Sequence, residues 1–117
     1  MATPCRGRIV WVELVDPQGG NPKCRPAVIL TEPKEVQPEA EVWVVGVTTQ
    51  VETTPADQAV ELPWDRKRHP RTGLKERCVA VCTWLAKIRL EAIKEYAGVV
   101  PGKQLLAILQ KVDELPA

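Results

Sequence analysis

The sequence predicts an α+β protein in which a small, strongly curved, barrel-like antiparallel sheet comes first and one C-terminal amphipathic helix packs against it last. Two observations carry this. From Arg8 to Ile88 the apolar residues fall in short runs, many of them β-branched or aromatic, broken by turns bearing proline, glycine and charge. From Leu90 onward the apolar spacing changes to steps of three and four, the period of a helix. At 117 residues the chain reads as a single domain spanning 1–117, long enough to bury one core without disulfide or metal staples.

The first strand is expected over Arg8–Val15, where Ile9, Val10, Trp11, Val12, Leu14 and Val15 leave little helical pattern. A polar loop, Asp16 to Lys23, is long for a hairpin, and such loops often carry function. Strands follow at Ala27–Thr31 and Glu41–Thr49, separated by a polar, proline-bearing turn over Glu32–Ala40. Gln58–Leu62 is a short alternating segment, and Pro63–Gly73 is a basic loop holding Arg66, Lys67, Arg68, His69 and Arg71, read as a solvated connection. Val79–Leu85 is a further buried strand that Lys87-Ile88 extends. A short helix is expected over Leu90–Tyr96 and a longer one over Gly102–Leu115, where Leu105, Leu106, Ile108, Leu109, Val112 and Leu115 make one apolar face.

Composition narrows the function classes. Sixteen basic and fifteen acidic residues give a net charge of +1, so a nucleic-acid site must be a local patch rather than a global field. No run approaches the roughly 18 apolar residues of a membrane span, and no apolar leader core follows Met1. A cytoplasmic protein without membrane contact is expected. Cys5, Cys24, Cys78 and Cys82 match neither a paired zinc spacing nor a redox CxxC, which predicts reduced, structural thiols and no metal or cofactor. Cys78 and Cys82, with Ala80 between, should share one strand face. A single histidine, His69, excludes a two-histidine nuclease mechanism within one subunit.

The most informative segment is Arg25-Pro26-Ala27-Val28-Ile29-Leu30. Pro26 lacks a ladder donor and is expected at the first strand position, where it biases Arg25 toward extended backbone. A guanidinium is thereby held at a strand mouth beside the Asp16–Lys23 loop. Read from this segment alone, Arg25 is either a surface residue capping a sheet edge or a functional cation. Trp11, Trp43, Trp64 and Trp84 can each stack on a base, but a strand tryptophan is more often core, which leaves Trp64 as the stacking candidate.

Arg6-Gly7-Arg8-Ile9-Val10-Trp11-Val12, Cys24-Arg25-Pro26-Ala27-Val28-Ile29-Leu30, Val44-Val45-Gly46-Val47-Thr48-Thr49 and Gly73-Leu74-Lys75, in that order, resemble the MazF/PemK toxin family. The ending, Ala97-Gly98-Val99-Val100 and then the amphipathic helix, is similar too. The resemblance implies an SH3-like barrel fold shared with CcdB, usually as a homodimer. It implies a metal-independent, sequence-specific endoribonuclease acting on single-stranded RNA and restrained by a cognate antitoxin. Arg25 and Thr48 match the family's catalytic positions; Gln18, Asn21, Lys23 and Thr49 are the expected RNA contacts. A planar guanidinium suits the charge that develops on phosphate oxygens during 2′-hydroxyl attack. This chain departs from the family at Gly46, where proline is frequent, at Thr83, where some members have an acid, and at Leu85-Ala86-Lys87-Ile88, where Arg-Thr-Ile is common. Lys87 or Arg89 is the candidate replacement for the missing arginine. The alternative is a non-catalytic binding module on the same fold: an inactive, antitoxin-bound relative or a CcdB-like topoisomerase inhibitor working through its terminal helix.

Overall fold

The computed structural model describes residues 3–16 and 19–114. Six strands, β1 (Arg8–Leu14), β2 (Lys23–Ile29), β3 (Glu41–Thr48), β4 (Ala59–Leu62), β5 (Cys78–Arg89) and β6 (Ile93–Val99), are followed by α1 (Gly102–Glu114). All pairings are antiparallel, in the order β4-β5-β3-β2-β1-β6. The sheet is curved but not closed, since β4 and β6 stand at opposite ends of that order. The expected barrel is therefore an open, α+β version of itself.

Alternation along the strands sends side chains to two cores, one on each face of the sheet. Ile9, Val28, Val45, Leu62, Ala80 and Cys82 pack beneath α1, which contributes the fully buried Ile108 and the flanks of Leu105, Leu109 and Val112. Val10, Val12, Ala27, Ile29, Val44 and Val81 form the opposite core with Trp84 and Ile88. Each fully buried Val, Leu or Ile among them contributes about 1.5–3 kcal/mol by leaving water. The helix's apolar face is thus occupied by the first core, except that Leu106, expected on that face, is 58% exposed and Leu115 lies outside the described residues.

Two expectations need correction. Leu90–Tyr96 is not a helix: a single 3-10 turn over Leu90–Ala92 leads into β6. Seven residues carry too few apolar positions to separate a period of 3.6 from a bulged strand, and pairing of Ile93, Glu95 and Tyr96 with Val12, Trp11 and Val10 decides the matter. Nor does Pro26 open its strand, for β2 starts at Lys23. The β2–β3 ladder covers only Ala27–Ile29, so Lys23–Pro26 is paired on the β1 side alone, an edge-like stretch that tolerates proline.

Cys78 and Cys82 point into the first core, as their spacing with Ala80 predicts. Burial, with Glu61 and Glu76 adding to it, pushes the Cys78 thiol from 9.0 up to about 11. Burial also lifts Cys82 from 9.0 to about 11, against the opposing charge of Lys111. Between those values the unfolded chain releases thiol protons that the folded chain keeps, so stability falls as pH rises from 9 toward 11. Urea midpoints taken at about pH 8.5 and about pH 10.5 should drop in the wild type more than in a Cys78→Ala/Cys82→Ala variant. Equal drops would acquit the thiols.

Candidate active site

β2 delivers Arg25 to the place where two cavities meet. The larger, about 590 Å³, is walled by Trp11, Lys23, Pro26, Val47, Thr49 and residues of the 68–78 segment. The smaller, about 390 Å³, is walled by Asp16, Asn21, Thr53, Gln58, Thr83 and Trp84. Arg25, Thr48, Lys23 and Gln50 line both. Strand alternation explains the arrangement: Trp11 and Pro26 are directly paired and face the larger cavity, while Arg25 is paired with Val12 of the opposite core. The site sits at one end of the sheet, where β2 and β3 stop pairing and the side chains of both faces are reachable.

The Arg25 guanidinium is held on two sides. Its Nη2 donates to the Asn21 carbonyl at 2.8 Å, and its carbon lies 5.2 Å from the centre of the Trp84 ring. Its Nε is buried without a hydrogen-bond partner. Asn21 takes a left-handed φ of 48° to present that carbonyl, a conformation asparagine tolerates better than most residues. Its side-chain amide reaches toward Asp16 Oδ2 at 3.5 Å, and Asp16 Oδ1 accepts from the Gly20 amide at 2.8 Å. Thr48 Oγ1 accepts the Gln50 amide at 3.1 Å, which leaves its own hydrogen to donate into the cleft.

Pro63–Gly73 is solvated along most of its length, as expected, with Arg66, Lys67, Arg68 and Arg71 all exposed, but it is anchored at one buried point. Thr72 is fully buried, donating to the Pro63 carbonyl at 2.8 Å and accepting from the Leu74 amide at 3.2 Å. His69 Nδ1 accepts from the amides of Arg71 and Thr72 at 3.2 and 3.3 Å, so the lone histidine ties this loop together. The loop then docks on β6 through Gly98 N to Thr72 O at 3.0 Å and Val99 N to Arg71 O at 2.7 Å. That docking places Arg68 and Lys75 in the wall of the larger cavity.

Of the residues singled out in the sequence, Arg25, Thr48, Thr49, Lys23 and Asn21 come together around the two cavities; Gln18 lies outside the described residues. Trp64 is exposed and lines neither cavity, whereas Trp11 lines the larger and Trp84 the smaller. Sequence reasoning passed over Gln50, Arg68, Lys75 and Glu95 as cavity residues. Their positions depend on register and loop docking, and only the basic character of Arg68 and Lys75 signalled them. Among the described residues no three His, Cys, Asp or Glu side chains gather as metal ligands, and no helix is long and apolar enough to cross a membrane.

Lys87 and Arg89, the candidate replacements for the missing arginine, line neither cavity. Lys87 lies over the exposed Trp43 ring at 5.4 Å and Arg89 pairs with Glu91 at 3.4 Å, both away from the cavities. Lys87→Ala and Arg89→Ala should therefore leave the RNA cleavage that the family resemblance implies within about twofold of wild type, as expected for surface positions. A tenfold loss in either, measured on the same RNA, would put that strand end back in the site.

An open, curved sheet backed by one helix, with a guanidinium and a hydroxyl at the junction of two clefts, defines a class of small α+β proteins with a cationic cleft at the sheet's end. Solved structures of this class include a Mycobacterium tuberculosis toxin, MazF-mt6, 23% identical and covering 90% of this chain and 91% of its own, at TM-score 0.65. MazF from Deinococcus radiodurans is 18% identical, covers 96% of this chain and 94% of its own, and superposes at TM-score 0.67. A mycobacterial endoribonuclease in complex with its cognate antitoxin is 18% identical over 98% of this chain and 99% of its own, at TM-score 0.66. No curated protein matches by sequence. A family model describing the PemK-like, MazF-like toxins of type II toxin-antitoxin systems matches residues 5–115, and the chain belongs to that family.

Proposed function

We propose that this toxin is a metal-independent endoribonuclease that cuts single-stranded RNA at a phosphate seated against Arg25 and Thr48. The observation that carries the proposal is that these two side chains line both cavities at once, which leaves room for RNA on either side of the scissile bond. The substrate's 2′-oxygen forms a bond to phosphorus and loses its proton, while the bond from phosphorus to the 5′-oxygen breaks and that oxygen gains a proton. The products are a 2′,3′-cyclic phosphate and a 5′-hydroxyl. Negative charge builds on the nonbridging oxygens as phosphorus becomes five-coordinate. Arg25 answers that charge with a guanidinium positioned beforehand, and Thr48 adds a hydroxyl donor. Preorganised donors of this kind contribute about 3–4 kcal/mol each. Lys23, Thr49 and Asn21 contact the flanking nucleotides.

A homodimer presents two such sites, and a cognate antitoxin restrains the enzyme by laying a segment that folds on binding over the same cleft. Incubation of the protein with long mixed-sequence RNA in EDTA, followed by mapping of cut positions and end groups, tests the activity. Discrete cuts with cyclic phosphate ends are expected. Intact RNA after exposure to folded, antitoxin-free protein would remove the ribonuclease assignment.

A further inference from the structure

We propose that Trp84 is a positioning residue for the reaction: its ring holds the Arg25 guanidinium in the orientation that receives the scissile phosphate. The role rests on the cleavage activity proposed above. Four observations converge on it. Trp84 is only 7% exposed, although it also lines the smaller cavity. Its ring lies directly against the backbone at Gly46, where a Cβ would come within 2.3 Å of two ring carbons, Cδ2 and Cε3. No other residue type leaves space for the indole there. The ring is pinned in its own plane by Nε1, which donates to the Val15 carbonyl at 3.1 Å. Arg25 stacks on it with its guanidinium carbon 5.2 Å from the ring centre.

The consequence is a three-strand stack, Gly46 of β3, Trp84 of β5 and Arg25 of β2, joined at two points to the β1–β2 loop. Val15 at the start of that loop accepts from the indole, and Asn21 near its end accepts from the guanidinium. A cation over an indole face is attracted by the ring quadrupole while its in-plane N–H edges stay available to a phosphate. The stack therefore restricts the guanidinium without consuming every donor it needs. It also gives a reason for glycine at position 46.

Trp84→Ala, Trp84→Phe and Gly46→Ala, each assayed in single-turnover cleavage and in binding to an uncleavable RNA whose 2′-hydroxyls are removed, test the role. Trp84→Ala and Gly46→Ala should lower the cleavage rate by about 10- to 100-fold, the cost of a misplaced catalytic group. RNA affinity should move by less than about threefold, since Arg25 and the other cleft cations remain. Trp84→Phe keeps a ring for stacking and should recover most of the rate. A Trp84→Phe loss as deep as that of Trp84→Ala, or losses expressed wholly in affinity, would overturn the proposal. Should Trp84→Ala not fold, the wild-type protein still decides: the Arg25 Nε–H proton should be shifted upfield by the indole ring current and return on Trp84→Phe only in part. An unshifted proton would overturn the stack, whereas a shifted proton in a protein that cuts no RNA would leave the stack standing and remove the ribonuclease.

Discussion

Arg25→Ala should lower the rate of RNA cleavage by about 10²- to 10³-fold, while the urea midpoint stays nearly level. The catalytic part follows from the guanidinium's place at the junction of the two cavities, which Thr48 also lines. The stability part follows from its surroundings. Arg25 is half-buried, and its Nε has lost water without gaining a partner, a burial that costs free energy in the folded state. Truncation removes that cost together with one hydrogen bond to Asn21 and the contact with Trp84. These changes nearly cancel, leaving a net effect within about 1 kcal/mol. Cleavage rates and urea midpoints measured on the same preparation check both halves. A variant that unfolds would make Arg25 a structural residue, and one that cuts RNA at the wild-type rate would move the chemistry elsewhere.

Gly98→Ala should be the most destabilising single-methyl change in the described chain. A Cβ at that position would lie 1.7 Å from the Arg71 carbonyl oxygen and 2.6 Å from the carbonyl carbons of Arg71 and Thr72. All three are backbone atoms, so no rotamer change relieves the overlap. Either β6 or the 68–75 loop must move, and the bonds from Gly98 N to Thr72 O and from Val99 N to Arg71 O go with it. The loss should exceed about 4 kcal/mol, a large part of the stability of a protein this size. Gly102→Ala is the matched control, because nothing lies within 4 Å of the added carbon there and alanine suits a helix better than glycine. Urea denaturation of the two variants should separate them widely; similar midpoints would mean that the loop does not pack on β6 as described. Any Gly98→Ala protein that folds should also bind RNA less well, since the same docking sets Arg68 and Lys75 in the cavity wall.

Much of the sheet was legible in the chain because burial on both faces leaves a strong mark. Ile9, Val10 and Val12 are apolar whichever way they point, and a turn signal follows each such run. The terminal helix was equally plain, since thirteen residues give its period room to repeat. β6 was missed because its two apolar anchors, Ile93 and Tyr96, are three apart, a spacing that a bulged strand shares with a helix. Arg25 and Thr48 were legible as a pair only through resemblance to a family. The chemistry of their neighbours was not, because Trp84 reads as an ordinary core residue and Gly46 as a mere departure from a familiar motif.

By itself, then, the amino-acid order determined the strand and helix content apart from β6, the family, the buried thiols on one strand face, and a cation beside a long polar loop. These are local properties, set by side-chain type and by alternation along a few residues. The strand order β4-β5-β3-β2-β1-β6 and its registers were decided only in three dimensions. They bring Gly46 under Trp84, Trp84 under Arg25, and a basic loop onto β6, so they decide which charges share a cleft. The physical reason is that pairing and loop docking minimise the free energy of the whole assembly, and no short window of sequence contains the partner that each of these residues will meet.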